Sequence, residues 1–345
     1  MSIVERFPIP TGYLFVGEYE KGKLETLSIG DYGKPYNVKA DFLGYTRPLN
    51  GVPDMHCMPL SEKWVVTVST QYGCPMRCTF CDVPELPFKG NVSEADLKAQ
   101  LYSAIGLFPS VKYTERLNLH YARMGDPIFN SAVFSFSRWL IQNKRQIHAD
   151  TGLRIETLHP VLTTSLPRKF KLLHDRILEW CYVKNDLFNG QAGLQFSINS
   201  TNEDQRREMF AGQALTLEEL AAIADEMPPP ISRKYCLNFA FSTDFEIDAA
   251  KVAHLFDADK FMCKITPIHN NNACRENGIK TEGGYESYRP YSKPERGLVA
   301  AGFDVLVFVP SMDEERGLVT CGNAILGGSK LSSGDTPIKI HGVSQ

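Results

Sequence analysis

Long apolar runs are missing from this 345-residue chain. None approaches the roughly 20 consecutive apolar residues that a membrane-crossing helix needs. The opening stretch MSIVERFPIPTGYLF has no basic segment followed by an apolar one, so no signal peptide is expected. A basic excess is missing too. The formal net charge is −3 and the isoelectric point is about 6.3, a balance that gives no support for a large nucleic-acid footprint, although a local basic patch stays open. Charge blocks, internal repeats and low-complexity tracts are also absent. The nine cysteines are an odd number for a disulfide framework. The expectation is a soluble cytoplasmic protein whose thiols are buried or bind metal.

What is present suits a sizeable core. With 43% hydrophobic and 22% charged residues, the chain can form one large α/β domain or two moderate ones. Strand-like stretches recur: WVVTVST, RLNLHYA, ETLHPVLTTS, GLQFSIN, YCLNFAFS, KFMCKITPI and FDVLVFVP. Helical patterns fall between them. SEADLKAQLYSAIGLF starts at Ser93 as a helix cap, SAVFSFSRWLIQNKRQI reads as one helix, and PRKFKLLHDRILEWCYV reads as a helix with Pro167 in its first turn. TLEELAAIADEM opens on a capping box from Thr216 to Glu219, while DAAKVAHLF and KPERGLVAAG are shorter helices. About six alternations predict parallel strands with right-handed crossovers, too few for a closed eight-stranded barrel. The expected fold is α/β, a partial (β/α)6 TIM-like barrel over residues 61–325 with its site at the carboxyl ends of the strands. Residues 1–60, with GYLFVGEY and YNVKADFLGY, read as a small N-terminal β extension packed on it, and residues 326–345 as a tail.

One segment carries the chemistry. YGCPMRCTFCDV holds Cys74, Cys78 and Cys81 on the loop after the first barrel strand. A structural zinc site or an ordinary iron–sulfur cluster would want four ligands, and no second cysteine pair follows at zinc-ribbon spacing. Three thiolates leave one metal position open for a substrate or cofactor.

CxxxCxxC at this place resembles the signature of the radical S-adenosylmethionine (SAM) superfamily. Other segments, in order, resemble the RlmN/Cfr-type radical SAM methylases: STQYGCPMRCTFC, PFKGNVSEADLKAQL, ARMGDPIFN, TTSLP, FSINSTNEDQRREM, CKITPIHN and VTCGNA. The resemblance spans about residues 50–325. It implies a 4Fe-4S cluster on Cys74, Cys78 and Cys81, with SAM on the open iron and Phe80 beside it. It implies that Gly125, Asp126 and Pro127 approach the methionine amino group of SAM. Ser165 and Ser197 would meet its carboxylate or ribose, and His269 or Asn270 its adenine or ribose.

The same resemblance makes Cys321 a methyl carrier. An adenine amidine carbon is too electron-poor to attack the methyl of SAM, whereas a thiolate can. One SAM would methylate the thiol, and a second would supply the radical that activates the S-methyl. Asp54 would take part in proton removal. This chain departs from the family at the cysteine that releases the adduct, where it has Thr67; Cys57 is the candidate substitute. The segment FVPSMDEERG stands where the family has arginines, and only a short β-like extension is expected where the family carries a helical RNA-binding domain. A heterocyclic small molecule or a short RNA is therefore the expected substrate, with a flavodoxin- or ferredoxin-type electron donor and no membrane partner. Two alternatives stay open: a radical SAM enzyme that acts on a small molecule without methylation, and an iron–sulfur redox sensor associated with nucleic acid.

Overall fold

The structure is a computed structural model that describes residues 2–9, 11–31, 58–280, 289–310, 314, 317–320, 322–331 and 338–339. The chain opens with three antiparallel strands, β1 (Ser2–Ile9), β2 (Gly12–Tyr19) and β3 (Gly22–Gly30). β4 (Lys63–Val68) begins the parallel region. A small ribbon of β5 (Gln71–Tyr72) and β6 (Gly90–Asn91) follows it. Next come β7 (Tyr113–Tyr121), β8 (Arg154–Thr164), β9 (Gly193–Ser197), β10 (Tyr235–Phe241), β11 (Phe261–Pro267) and β12 (Val305–Val307). These six and β4 lie side by side in chain order, all parallel. β13 (Ile338–Lys339) pairs with β1.

Helices fill the six crossovers. They are α1 (Glu94–Gly106), α2 (Ser131–Gln142), α3 (Lys144–Thr151), α4 (Leu173–Tyr182), α5 (Glu203–Met209), α6 (Leu217–Glu226), α7 (Ala249–Leu255), α8 (Asn272–Glu276) and α9 (Arg289–Ala300). Among the described residues the sheet runs in one line from β12 to β13, without closing. The expected open, partial barrel is what forms. Its first strand is bordered by β3, which pairs antiparallel with β4 and continues the sheet into the N-terminal strands. The YNVKADFLGY segment lies outside the described residues. No described helix is long and apolar enough to cross a membrane.

Strand alternation separates two faces. Trp64, Val66 and Val68 of β4, with Leu117 and Leu119 of β7, are buried in the main apolar core that the helices cover. The residues between them face the other way, into a cavity. Local signals work as the sequence suggests: the Ser93 side chain accepts from the Asp96 amide, and Thr216 and Glu219 form a reciprocal capping box.

Two helices differ from expectation. The helix read across 131–147 breaks at Asn143, whose backbone leaves the helical region and whose main-chain and side-chain N–H groups both donate to the Trp139 carbonyl. The helix read from Pro167 starts instead at Leu173. Leu166 adopts a left-handed φ of 61°, and the Arg168 amide donates to Gln213 O at 2.7 Å. Residues 167–168 are thus tied to the loop after α5 and cannot wind.

Candidate active site

The cavity has a volume of about 440 Å³ and occupies the inner face of the open barrel. Its walls are the alternate residues of the parallel strands: Lys63, Val65 and Thr67; Arg116, Asn118 and His120; Thr163 and Ser165; Gln195 and Ser197; Asn238; Lys264 and Thr266. A closed barrel of this size would pack such positions with branched apolar side chains. Here they are mostly polar, so the interior is a binding space.

Cys74, Cys78 and Cys81 all border the cavity. The loop that carries them is held from several sides. Arg77 takes a left-handed φ of 52° between the first two thiols, and the Cys81 amide closes a turn onto Cys78 O at 3.2 Å. The Thr79 amide donates to Met209 O. Met76 and Cys78 pack into a small apolar cluster with Met209, Phe210 and Ile268, and the Phe80 ring meets Phe210 edge-on at 5.6 Å. This setting disfavours charge. Burial pushes the Cys74 thiol up to about 12. Cys78 also rises well above the ordinary value, from burial first and then from its neighbours Cys74 and Cys81. Thiolates here need a positive group among them, and bound iron deprotonates coordinating thiols.

Among the described residues, no three His, Cys, Asp or Glu side chains converge on a single-ion position. Yet Cys74 and Cys81 are both close enough to act on Cys78. Three cysteine donors bordering one cavity suit an iron–sulfur cluster, whose ligands sit on different irons.

Beside the thiols, in contact with Cys74, lies the turn after β7. Gly125 has a φ of 86°, and a Cβ there would sit 2.3 Å from Cβ of Gln71, so only glycine fits. Gln71 locks the turn: its side-chain oxygen accepts from the Asp126 amide at 2.9 Å, and its amide group donates to Asn91. The Asp126 carboxylate is buried and faces inward to the scaffold. It accepts from the Ser165 amide at 2.7 Å, from the Thr164 hydroxyl at 3.1 Å and from the Ile128 amide at 3.1 Å. Burial raises its carboxyl to about 6, against the pull of these donors. It therefore fixes the end of β8 beside Ser165.

The cavity gathers most residues singled out in the sequence: the three cysteines, Phe80, Gly125, Asp126, Ser165, Ser197 and His269. Two stand apart. Pro127 is buried at the start of a 3-10 turn, and Asn270 is exposed, with its backbone and side-chain oxygens accepting from Arg275. Asp54, Cys57 and Cys321 lie outside the described residues, while Val319, Thr320 and Gly322 line the cavity.

Several residues that matter to the site carried no local signal. Asp82, directly after Cys81, is fully buried. Its carboxylate accepts from the Ala273 amide at 3.0 Å and from the Ser329 hydroxyl, and its own amide donates to Gly322 O at 2.9 Å. Asn271 donates to both Phe80 O and Gly322 O. A buried ion pair completes the frame. Arg123 donates to one Glu25 oxygen through Nε at 3.0 Å and Nη2 at 2.7 Å, and through Nη1 to Leu318 O at 2.6 Å. The other Glu25 oxygen accepts from the Leu326 amide at 2.6 Å. Leu318, Gly322, Leu326 and Ser329 are thereby fastened to β3, to the β7 turn and to the thiol loop.

An open parallel sheet with three thiols on its first crossover loop resembles the radical SAM architecture. The chain shares its fold with a radical SAM methyltransferase from Sphaerobacter thermophilus, at a TM-score of 0.60 and 17% identity over 93% of this chain and 81% of that one. No family model matches. By sequence the chain resembles curated proteins named probable dual-specificity RNA methyltransferase RlmN. That of Pseudothermotoga lettingae is 26% identical over 208 residues, 59% of this chain and 54% of the relative. That of Petrotoga mobilis is 22% identical over 252 residues, 71% and 61% respectively. That of Pelodictyon phaeoclathratiforme is 31% identical over 218 residues, 59% and 54%. The chain thus spans little more than half the length of these relatives. The RlmN/Cfr-type resemblance carried by the motifs holds in the sequence comparison.

Proposed function

We propose that the chain is a cytoplasmic radical SAM methylase that acts on an sp2 carbon of a purine or related nitrogen heterocycle, in RNA or as a small molecule. One observation carries this reading: three thiols from one loop line the same cavity as Gly125, Asp126, Ser165 and Ser197. Cys74, Cys78 and Cys81 would hold a 4Fe-4S cluster, and the Gly125–Asp126 turn would help to hold SAM beside it. With an electron from a flavodoxin- or ferredoxin-type donor, the bound pair supplies 5′-deoxyadenosyl radical chemistry.

The chain's own residues then have defined tasks. Gln71 and Asp126 hold the turn and the Ser165 backbone rigid. Ser165 and Ser197 offer hydroxyls to the polar groups of SAM, His269 stands toward its adenine or ribose, and Phe80 with Met76 keeps water from the thiols. Cys321 is the methyl carrier: its thiolate takes the methyl of SAM, forming a carbon–sulfur bond as S-adenosylhomocysteine leaves. Asp54 takes the proton. Thr67 lines the cavity and is buried, and its hydroxyl cannot form a disulfide, so release of the product falls to Cys57.

Methyl-labelled SAM tests the assignment. After anaerobic incubation and digestion, label should sit on the peptide holding Cys321 and be lost in Cys321→Ala. A wild-type Cys321 that never carries label contradicts the carrier reading.

A further inference from the structure

The cavity does not end at the thiols and the SAM-facing turn. Its far wall carries Lys63, Arg116, Arg233 and Lys264. Lys63 and Arg116 are neighbours in register at the amino-terminal ends of β4 and β7, and Arg233 immediately precedes β10. Lys264 projects from β11 beside Asn238 of β10.

Their partners are uneven. Lys63 is ion-paired with Asp31. Among the described residues Arg116, Arg233 and Lys264 form no ion pair. Arg116 donates to the neutral Asn118 side chain at 2.8 Å, Arg233 to the Gln191 carbonyl at 3.1 Å, and the Lys264 ammonium stands 5.0 Å from the centre of the Phe308 ring. Burial lowers the affinity of both guanidinium groups for their protons; Arg233 further lowers that of Arg116, and Asp31 opposes it. His120 lies in the same wall and is held neutral by burial first and by Lys264 second, so it adds no charge.

Asp31, which Lys63 holds and which also attracts Arg116, is shared between two cations, so among the described residues positive charge stays in excess along this wall, which is unfavourable unless something anionic joins it. We propose that this wall is an anion site that takes the phosphate of a nucleotide-sized substrate, whose base then points toward the thiols. A phosphate suits it better than a carboxylate. It carries up to two charges and three acceptor oxygens, which matches two forked guanidinium groups and one ammonium. The volume of about 440 Å³ falls in the usual range for a small-ligand pocket. This assignment rests on the proposed function only for the orientation of the base.

The test uses the full chain with its cluster reconstituted anaerobically. Inorganic pyrophosphate and adenosine 5′-monophosphate are titrated calorimetrically, with adenosine as the uncharged control. Both phosphates should bind, the monophosphate at least tenfold more tightly than adenosine. Arg233→Gln and Lys264→Gln should each weaken phosphate binding about tenfold. Without any anion, both variants should melt no lower than wild type, because a like charge has been removed. The dinucleotide adenylyl-adenosine separates a free nucleotide from one held in a strand, and its binding with the same loss in the variants supports the site equally. Equal affinity for the monophosphate and adenosine, unchanged binding in both variants, or a lowered melting temperature in both would overturn the proposal. Reductive cleavage of SAM by the wild-type protein is scored separately. Cleavage without phosphate binding removes the anion site alone, and phosphate binding without cleavage leaves the anion site standing and removes the enzymatic reading.

Discussion

Glu25→Gln removes one charge from the frame that holds residues 318–326 against the cavity. Both side chains of the pair are at most 1% exposed. Glu25 now accepts two bonds from Arg123 and one from the Leu326 amide. A glutamine keeps one carbonyl oxygen, which can face Arg123 or Leu326 but not both; its amide then points at another donor. The larger loss is the uncompensated guanidinium. Breaking a buried pair from one side costs about 3–5 kcal/mol. Urea unfolding of anaerobically purified protein should show a loss of that size, and hydrogen exchange should show the Leu326 amide newly exposed. Arg123→Met should lose a similar amount by leaving the carboxylate unpaired. The double variant Glu25→Leu, Arg123→Met should lose much less than the sum of the two single changes. A Glu25→Gln protein within about 1 kcal/mol of wild type, with Leu326 still protected, would refute the idea that the pair anchors this segment.

Three further outcomes are expected. Replacing Cys74, Cys78 and Cys81 together by alanine should abolish bound iron and sulfide after reconstitution, and full iron content in that variant would exclude the loop as cluster ligand. Ser197→Ala should weaken SAM binding by roughly ten- to a hundredfold, the worth of one hydrogen bond to a charged group, while leaving the cluster absorbance unchanged; unaltered affinity would remove Ser197 from the SAM site. His120 is pushed down to about 3, so its contribution to stability is present above the ordinary histidine value and is lost as pH falls below it. Between pH 7 and pH 5 the loss is about 1–2 kcal/mol, the lower figure allowing for the open lumen beside the ring. His120→Asn should flatten the urea-midpoint profile by that amount, and parallel profiles would contradict the burial argument.

The strands were largely legible because their signal is local. GLQFSIN and YCLNFAFS contain β9 and β10 with ends within a residue or two, and the caps at Ser93 and Thr216 form as read. The thiol loop was legible for the same reason: its chemistry sits in eight consecutive residues. The break at Asn143 was not, since the apolar spacing runs on through it while the Asn143 backbone leaves the helical region and its side chain turns back to Trp139. Nor was the late start of α4, because the restraint on Pro167 and Arg168 comes from residues 213–214. The frame around the site was hidden by distance. Glu25 meets Arg123 across 98 positions, Asp82 meets Ser329 across 247, and no periodicity links such pairs. One signal was there to be used: RLNLHY alternates Arg116, Asn118 and His120 with apolar neighbours, and the polar set is the lining of the lumen.

The central claim is that three thiols on one loop hold a cluster that cleaves SAM, and the most direct measurement is the product of that cleavage. Reconstituted protein is reduced with dithionite in the presence of SAM, and 5′-deoxyadenosine is followed by mass spectrometry beside a Cys78→Ala control. The account predicts 5′-deoxyadenosine from the wild-type chain and none above background from the variant. A wild-type protein that binds iron and sulfide yet forms none, or a variant that forms as much as wild type, would contradict it.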